Sequence, residues 1–342
     1  MTALLYKIPE LFVSGVASGK YKLVGAIIQE VVSGRVMGHV QQTGALDQAL
    51  NLAMPVLGKA FPPLQILSSL SGVASVVQNE QIKSRLTAMQ SSLGLIQNMQ
   101  VASLAVSGLG LGVSVVGFAV MHQRLQGIAT HLKTLDDKIE KVTADRRSDE
   151  LRVIFADIST DLEAVDTLSS RVNKTNAADA AQRGLAQSAG RLEDQFRMQA
   201  DKAQSEAANT ADLEMLWSLA AAIRLCHEAG MRAMFTVNEL AAAQDLSARQ
   251  ANRFLDLSLP LSPDALARLC ASGASSAEAS TVARRAALPQ AESLVRGLRD
   301  NVASIASQSE LAAALLGKHI TGPQYLSEIA EEKTAPLLYL PA

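Results

Sequence analysis

Residues 101–121 carry the sequence VASLAVSGLGLGVSVVGFAVM. This segment holds 14 apolar residues, four glycines and three serines. As an α-helix it would be about 30 Å long, which matches the hydrocarbon core of a lipid bilayer. It lies inside residues 86–123, a run of 38 residues without Asp, Glu, Lys or Arg. That length favours a membrane-inserting segment, although a fully buried helix or hairpin in a soluble bundle also fits.

The apolar and glycine residues of this segment are the predicted membrane-inserting residues. Gly108 and Gly112 form a GxxxG pair, which allows two membrane helices to approach closely. The glycines also favour a helical hairpin that turns at residues 107–112, so a single span and a hairpin both remain open. Insertion is predicted to be conditional, because seven glycines and serines offset the apolar side chains. The predicted set is Val101, Leu104, Val106, Gly108, Leu109, Gly110, Leu111, Gly112, Val113, Val115, Val116, Phe118 and Val120.

Heptad patterns flank the uncharged segment on both sides. The upstream pattern comprises Ile82, Leu86, Met89, Leu93 and Ile96. The downstream pattern predicts a coiled-coil seam that begins at Phe118 and continues through Met121, Leu125, Ile128, Leu132, Leu135, Ile139 and Val142. Charged residues lie between these positions, so one face is solvated and one stripe is buried. We expect the stripe to pack against a helix of the same chain or of a partner subunit, and we expect a homo-oligomer.

A β signal occurs in residues 21–42, where Val-rich and Ile-rich runs flank Ser33 and Gly34. This pattern predicts a β-hairpin with a two-residue turn at those positions. Gly25 and Gly38 are expected to mark bulges or close approaches. Strong helix formers dominate from residue 46 onward, so the fold class is mainly α, a long-helix bundle or coiled coil with a small N-terminal β-hairpin.

Composition breaks divide the chain into four predicted segments. Residues 1–45 hold the β-hairpin, and residues 46–150 hold the amphipathic arms around the apolar segment. Residues 151–258 form a helical bundle. Residues 259–342 follow the prolines at 260 and 263 and contain further helices and a short extended tail.

The overall composition excludes several functions. The net charge is −2, so there is no cationic excess to bind nucleic acid, and no nucleic-acid partner is expected. Two cysteines and five scattered histidines lack the spacing of a metal site or a disulfide framework. No cofactor and no small-molecule substrate are indicated. The N-terminus does not resemble a secretory signal, so we expect a cytoplasmic protein that later associates with a membrane.

Three other classes of protein compete with the membrane hypothesis. The first is a soluble coiled-coil scaffold that uses residues 118–142 as its interface. The second is a helix-turn-helix regulator over residues 237–255, with Arg249 and Arg253 on the second helix, although Asp245 replaces the usual turn glycine. The third is an enzyme, but Gly108-x-Gly110-x-Gly112 does not match a dinucleotide-binding motif. We therefore expect no enzymatic activity.

The layout of amphipathic arms around a glycine-rich apolar segment resembles the α-helical pore-forming toxins of the cytolysin A group. The resemblance is architectural and covers residues 70–170. It implies a helical bundle that releases residues 101–121 into a lipid bilayer as subunits assemble. A bacterial toxin and a self-killing defence effector both fit this expectation, and fold-level resemblance alone does not distinguish them.

Overall fold

A computed structural model describes residues 4–43, 118–136, 141–205, 210–272, 274–332, 335 and 337–342. Within them the chain is mainly helical, with a small antiparallel sheet, so the predicted fold class is confirmed. The strands are β1 (Tyr6–Lys7), β2 (Tyr21–Val24), β3 (Ile27–Glu30), β4 (Val36–Gln42) and β5 (Leu337–Pro341). The helices are α1 (Glu10–Ala17), α2 (Phe118–Asp136), α3 (Lys141–Asp166), α4 (Lys174–Ser205), α5 (Thr210–Thr236), α6 (Leu240–Ser258), α7 (Pro263–Cys270), α8 (Ala277–Gly317) and α9 (Gly322–Glu331).

The sheet joins the two ends of the chain. Its strand order is β1-β5-β4-β3-β2, and all neighbours are antiparallel. The extended C-terminal tail therefore becomes β5 between β1 and β4, where Tyr339 lies opposite Tyr6 on one side and Val40 on the other. The sequence predicted an extended tail but not this pairing, because a five-residue run carries no information about a partner more than 290 positions away.

The predicted single hairpin is in fact two hairpins. A two-residue turn at Gly25 and Ala26 joins β2 to β3, whereas Ser33 and Gly34 lie in the longer connection between β3 and β4. Gly25 and Gly34 both have positive φ, at 57° and 71°, which favours glycine at each turn. A turn therefore does contain Ser33 and Gly34, but it spans residues 31–35 instead of two residues. The sequence did not predict the earlier turn at Gly25 and Ala26.

Gly25 and Gly38 mark the close approaches that the sequence predicted. A Cβ atom at Gly25 would overlap the carbonyl group of Ala303 in α8. A Cβ atom at Gly38 would overlap the ring of Tyr339 in β5. The sheet therefore packs directly against the helical bundle at Gly25. At Gly38, the Tyr339 ring of β5 covers the backbone of the neighbouring strand β4.

Local sequence explains where several helices begin. The hydroxyl of Ser276 caps α8 by accepting a hydrogen bond from the amide of Ala279 at 3.1 Å. Thr321 caps α9, and Pro323 occupies its first turn, where the missing amide donor costs nothing. Ser262 and Pro263 start α7 in the same way, which explains the break that the prolines predicted.

Helix α5 is the centre of the bundle. It packs against α2, α3, α4, α6, α8 and α9. Most of its side chains are buried, and small residues such as Ala220, Ala222 and Ala229 allow neighbouring helices to approach. One continuous apolar cluster includes residues from Leu5 to Leu340. Described residues from each of the four predicted segments contribute to this core, and residue 150 lies inside α3.

Candidate functional site

The predicted seam residues of α2 form a buried stripe. Met121, Leu125, Ile128, Leu132 and Leu135 are each at most 8% exposed. Helix α2 packs against α3 and α5, so helices of the same chain cover this stripe. Ile139 lies outside the described residues, and Val142 lies in α3 with a side chain that is not described. A role of the stripe between subunits remains a prediction.

Three polar contacts accompany the apolar stripe. His122 Nδ1 on α2 and Ser159 Oγ on α3 are 3.2 Å apart, and the amide nitrogen of Gln126 is 2.8 Å from His122 Nε2. The imidazole of His122 thus lies between a hydroxyl on α3 and an amide of its own helix. His131 lies 3.8 Å from the carboxylate of Glu214 on α5. Partly exposed polar side chains of α2 thus face two different helices, α3 and α5.

The predicted membrane-inserting residues lie almost entirely outside the described part of the chain. Residues 101–117 are not described, so their prediction is untested. Phe118 and Val120 belong to the first turn of α2, but their side chains are not described. Among the helices of the described residues, none combines the length and apolarity needed to cross a membrane.

The helix-turn-helix hypothesis fails on backbone geometry. Residues 240–258 form one continuous helix, α6, and Asp245 lies inside it. The motif requires a turn near that position, which an uninterrupted helix does not provide. The actual break comes earlier, at Asn238, which has a φ of 63°. The two arginines that suggested a recognition helix therefore lie on the same helix as the residues assigned to the first one.

Buried polar residues on α5 were missed by the sequence reasoning. Arg224 and Glu228 are 1% and 0% exposed and form an ion pair at i,i+4 spacing. Burial lowers the pKa of Arg224, whereas the nearby Glu228 raises it. The ring of His227 is also buried, and burial and the neighbouring Arg224 lower its pKa to about 3. The sequence carried this pair as Arg-x-x-x-Glu directly after the uncharged run 215–223.

The described residues offer no metal-binding cluster of three or more His, Cys, Asp or Glu side chains. Cys226 is buried in α5, and burial raises the pKa of its thiol. Cys270 is partly buried at the end of α7, and its thiol pKa is also raised by burial. Raised thiol pKa values disfavour the reactive thiolate, so neither cysteine has the environment of a catalytic nucleophile.

One small cavity lies among α3, α4 and α5. Its volume is about 50 Å³, far below the several hundred Å³ of a typical metabolite pocket. Gln199 in its wall donates a hydrogen bond to Asp212 at 2.8 Å, and Gln195 donates to Glu150 at 2.8 Å. The cavity is lined by Leu151, Gln195, Met198, Gln199, Met215 and Leu219. Its size suits a water molecule rather than a substrate.

Comparison of the chain with protein-family models, with curated proteins and with solved structures found no match.

Proposed function

We propose that this protein inserts residues 101–121 into a lipid bilayer and permeabilises it as a homo-oligomer. The observation that carries the proposal is the absence of charge over residues 86–123 in a chain that is 19% charged. Ten Val, Leu and Phe side chains in the segment favour insertion by about 3 to 6 kcal/mol in total. Glycines and serines offset part of this, so the segment suits storage in a folded state followed by release.

The packing of α2 supports a release step. The uncharged run ends inside α2, where Met121 is 1% exposed in the bundle. Helices α3 and α5 already cover the α2 stripe. Pairing of this stripe with a second copy would therefore require α2 to leave its place. An apolar stripe that exchanges an intramolecular partner for an intermolecular one would drive assembly through the same side chains.

The proposed role is that of a toxin or a self-killing defence effector, and it involves no catalysis. The runner-up is a soluble scaffold that assembles through the α2 stripe without entering a membrane. Both hypotheses use the same stripe, and they differ in what residues 101–121 do. Binding to lipid vesicles separates them.

The test is release of a trapped dye from lipid vesicles by the purified full-length protein. Val115→Arg places a cation at the centre of the segment, which costs about 2.5 to 3.5 kcal/mol at the bilayer midplane. The matched control is Val153→Arg, because Val153 is 52% exposed on α3. We expect wild type and Val153→Arg to release dye and to float with vesicles. We expect Val115→Arg to lose both properties while its thermal unfolding shows that it is folded.

The proposal fails if folded wild-type protein neither releases dye nor floats with vesicles across neutral and anionic lipids. Wild-type protein that stays at the bottom of the gradient as an oligomer would support the scaffold instead. Val115→Leu adds a second control, since it preserves apolarity and should retain dye release.

A further inference from the structure

Helix α8 carries a row of polar side chains on its buried face. They recur at helical spacing and are each at most 5% exposed, namely Asp300, Asn301, Ser304, Ser307 and Gln308. We call this row the α8 polar belt. Core-facing helix positions are normally apolar, because a buried polar group loses its hydration and must find a partner. The belt is therefore an interface of different chemistry from the rest of the core.

The first partner of the belt is the ion pair of α5. Ser304 accepts a hydrogen bond from Nη2 of Arg224 at 3.1 Å. Gln308 donates to the carboxylate of Glu228 at 2.7 Å. The second contact lies four residues after the first on both helices, so α5 and α8 run in the same direction here. Two other guanidinium nitrogens of Arg224, Nε and Nη1, have no hydrogen-bond partner within the described residues.

The belt also touches the sheet and α6. Ser307 accepts a hydrogen bond from the amide of Ala26 at 3.0 Å, in the turn between β2 and β3. The carbonyl of Ala303, the residue before Ser304, lies against Gly25 of that turn. On the other side, Ser309 next to the belt donates to the carbonyl of Gln244 in α6 at 3.1 Å. One stretch of α8 is thus joined by polar contacts to three separate parts of the fold.

Polar interfaces of this kind separate more easily than apolar ones. Burying an ion pair costs desolvation that its own attraction does not fully return, and replacement of such a pair by apolar residues is often neutral or stabilising. When the interface opens, water restores the hydration of every group in it. An apolar interface gains no such compensation, because its exposed surface is unfavourable in water.

We propose that α8 separates from α5 along the α8 polar belt when the protein rearranges to enter a membrane, an inference that rests on the proposed function. Helix α5 links this event to α2, since it packs against α2 and carries Glu214, the partner of His131. Movement of α5 away from α8 changes the surface on which α2 rests. The belt then determines how readily the folded state opens.

The first test is amide hydrogen exchange of the full-length protein without lipid. Arg224→Met leaves the Glu228 carboxylate buried without its cation and should speed exchange in α5 and α8 by at least about tenfold. The double variant R224M/E228M removes both charges and should slow exchange in these helices by at least about tenfold relative to wild type. Ser304→Ala is a milder variant and should act in the same direction as R224M. If R224M does not fold, S304A carries the comparison.

The second test is dye release with the same proteins. We expect release to be faster for R224M or S304A and at least about tenfold slower for R224M/E228M. The control is Leu185→Ala on α4, a buried position outside the belt that destabilises by creating a cavity. We expect Leu185→Ala to speed dye release only as much as its lower free energy of unfolding accounts for. Release by R224M/E228M at the wild-type rate, with exchange slowed, would overturn the proposal.

Equal acceleration by Leu185→Ala and by a belt variant of the same stability would also overturn it. Failure of the proposed function looks different, because wild-type protein would then release no dye with any lipid. Exchange without lipid would still report whether α5 and α8 separate along the belt.

Discussion

The buried carboxylate of Glu193 on α4 accepts two hydrogen bonds from Arg253 on α6, at 3.1 Å from Nε and 2.8 Å from Nη2. Burial raises the pKa of Glu193, and the charge of Arg253 opposes that shift. The glutamate side chain is 1% exposed and the arginine side chain is about half exposed. The arginine therefore reaches from the surface to neutralise a carboxylate that is out of contact with water.

This relationship predicts the effect of Arg253→Met. Loss of both hydrogen bonds leaves the Glu193 carboxylate buried without its main donor, so the free energy of unfolding should fall by about 1 to 3 kcal/mol. Arg249→Met is the control, because Arg249 is exposed on the same helix. Urea unfolding at pH 7 measures both. An R253M protein as stable as R249M would show that the carboxylate is satisfied in another way.

The same arginine shows how sequence reasoning succeeds and fails. Two arginines at i,i+4 on an alanine-rich helix suggested a DNA-reading surface, but Arg253 is engaged with Glu193, which lies 60 positions away. Periodicity within a helix predicts which face is buried, as it did for Leu125 and Leu132. It does not predict which distant element covers that face, because this depends on tertiary packing.

The sequence predicted the role of two glycines but not the residues that contact them. The placement of Gly25 and Gly38 in Val-rich and Ile-rich runs indicated bulges or close approaches, and in the structure Ala303 and Tyr339 are the groups that lie against them. The buried Arg224 could not be placed by hydrophobic patterning, because an arginine in an apolar helix is usually assigned to its exposed side. The candidate membrane segment depends on sequence alone, since residues 101–117 lie outside the described part of the chain.

The close approach at Gly25 leads to a second prediction. Gly25→Ala adds a methyl group that meets the Ala303 carbonyl and also strains a residue with φ of 57°. We expect a loss of about 2 to 5 kcal/mol in the free energy of unfolding. Gly19→Ala isolates the backbone effect, because Gly19 has φ of 76° and open space around it, and should cost about 1 to 2 kcal/mol. Equal losses in the two variants would mean that contact with α8 contributes nothing.

The buried ring of His39 predicts a pH dependence of stability. Burial, and secondarily Lys318, lower its pKa from 6.5 to about 4. The folded state therefore favours the neutral ring, so this contribution to stability is complete above pH 6.5 and is lost as the pH falls toward 4. The loss is at most about 3 kcal/mol over that range. His39→Gln should reduce the slope of this part of the pH profile, while the buried His227, whose pKa is lowered to about 3, keeps its own contribution to the slope.

A matched control separates titration from packing. Thr43→Val removes a hydrogen bond to the carbonyl of Ala335 without changing charge. It should lower stability by a similar amount at every pH, whereas His39→Gln should change the slope between pH 6.5 and pH 4. Chemical unfolding at intervals across that range measures both. Parallel profiles for wild type and His39→Gln would exclude His39 as the titrating group.

The packing of α2 gives the last prediction. Leu132 is 1% exposed in the stripe that α3 and α5 cover, so Leu132→Asp buries an unpaired carboxylate there. We expect the free energy of unfolding to fall by about 4 kcal/mol or more. Lys133→Asp introduces the same side chain at the next, exposed position and should change stability by about 0.5 kcal/mol or less. Thermal unfolding and light scattering together distinguish loss of packing within the chain from loss of an oligomer. Unchanged melting and unchanged particle size for Leu132→Asp would show that the stripe supports neither, and the release step proposed for α2 would lose its structural basis.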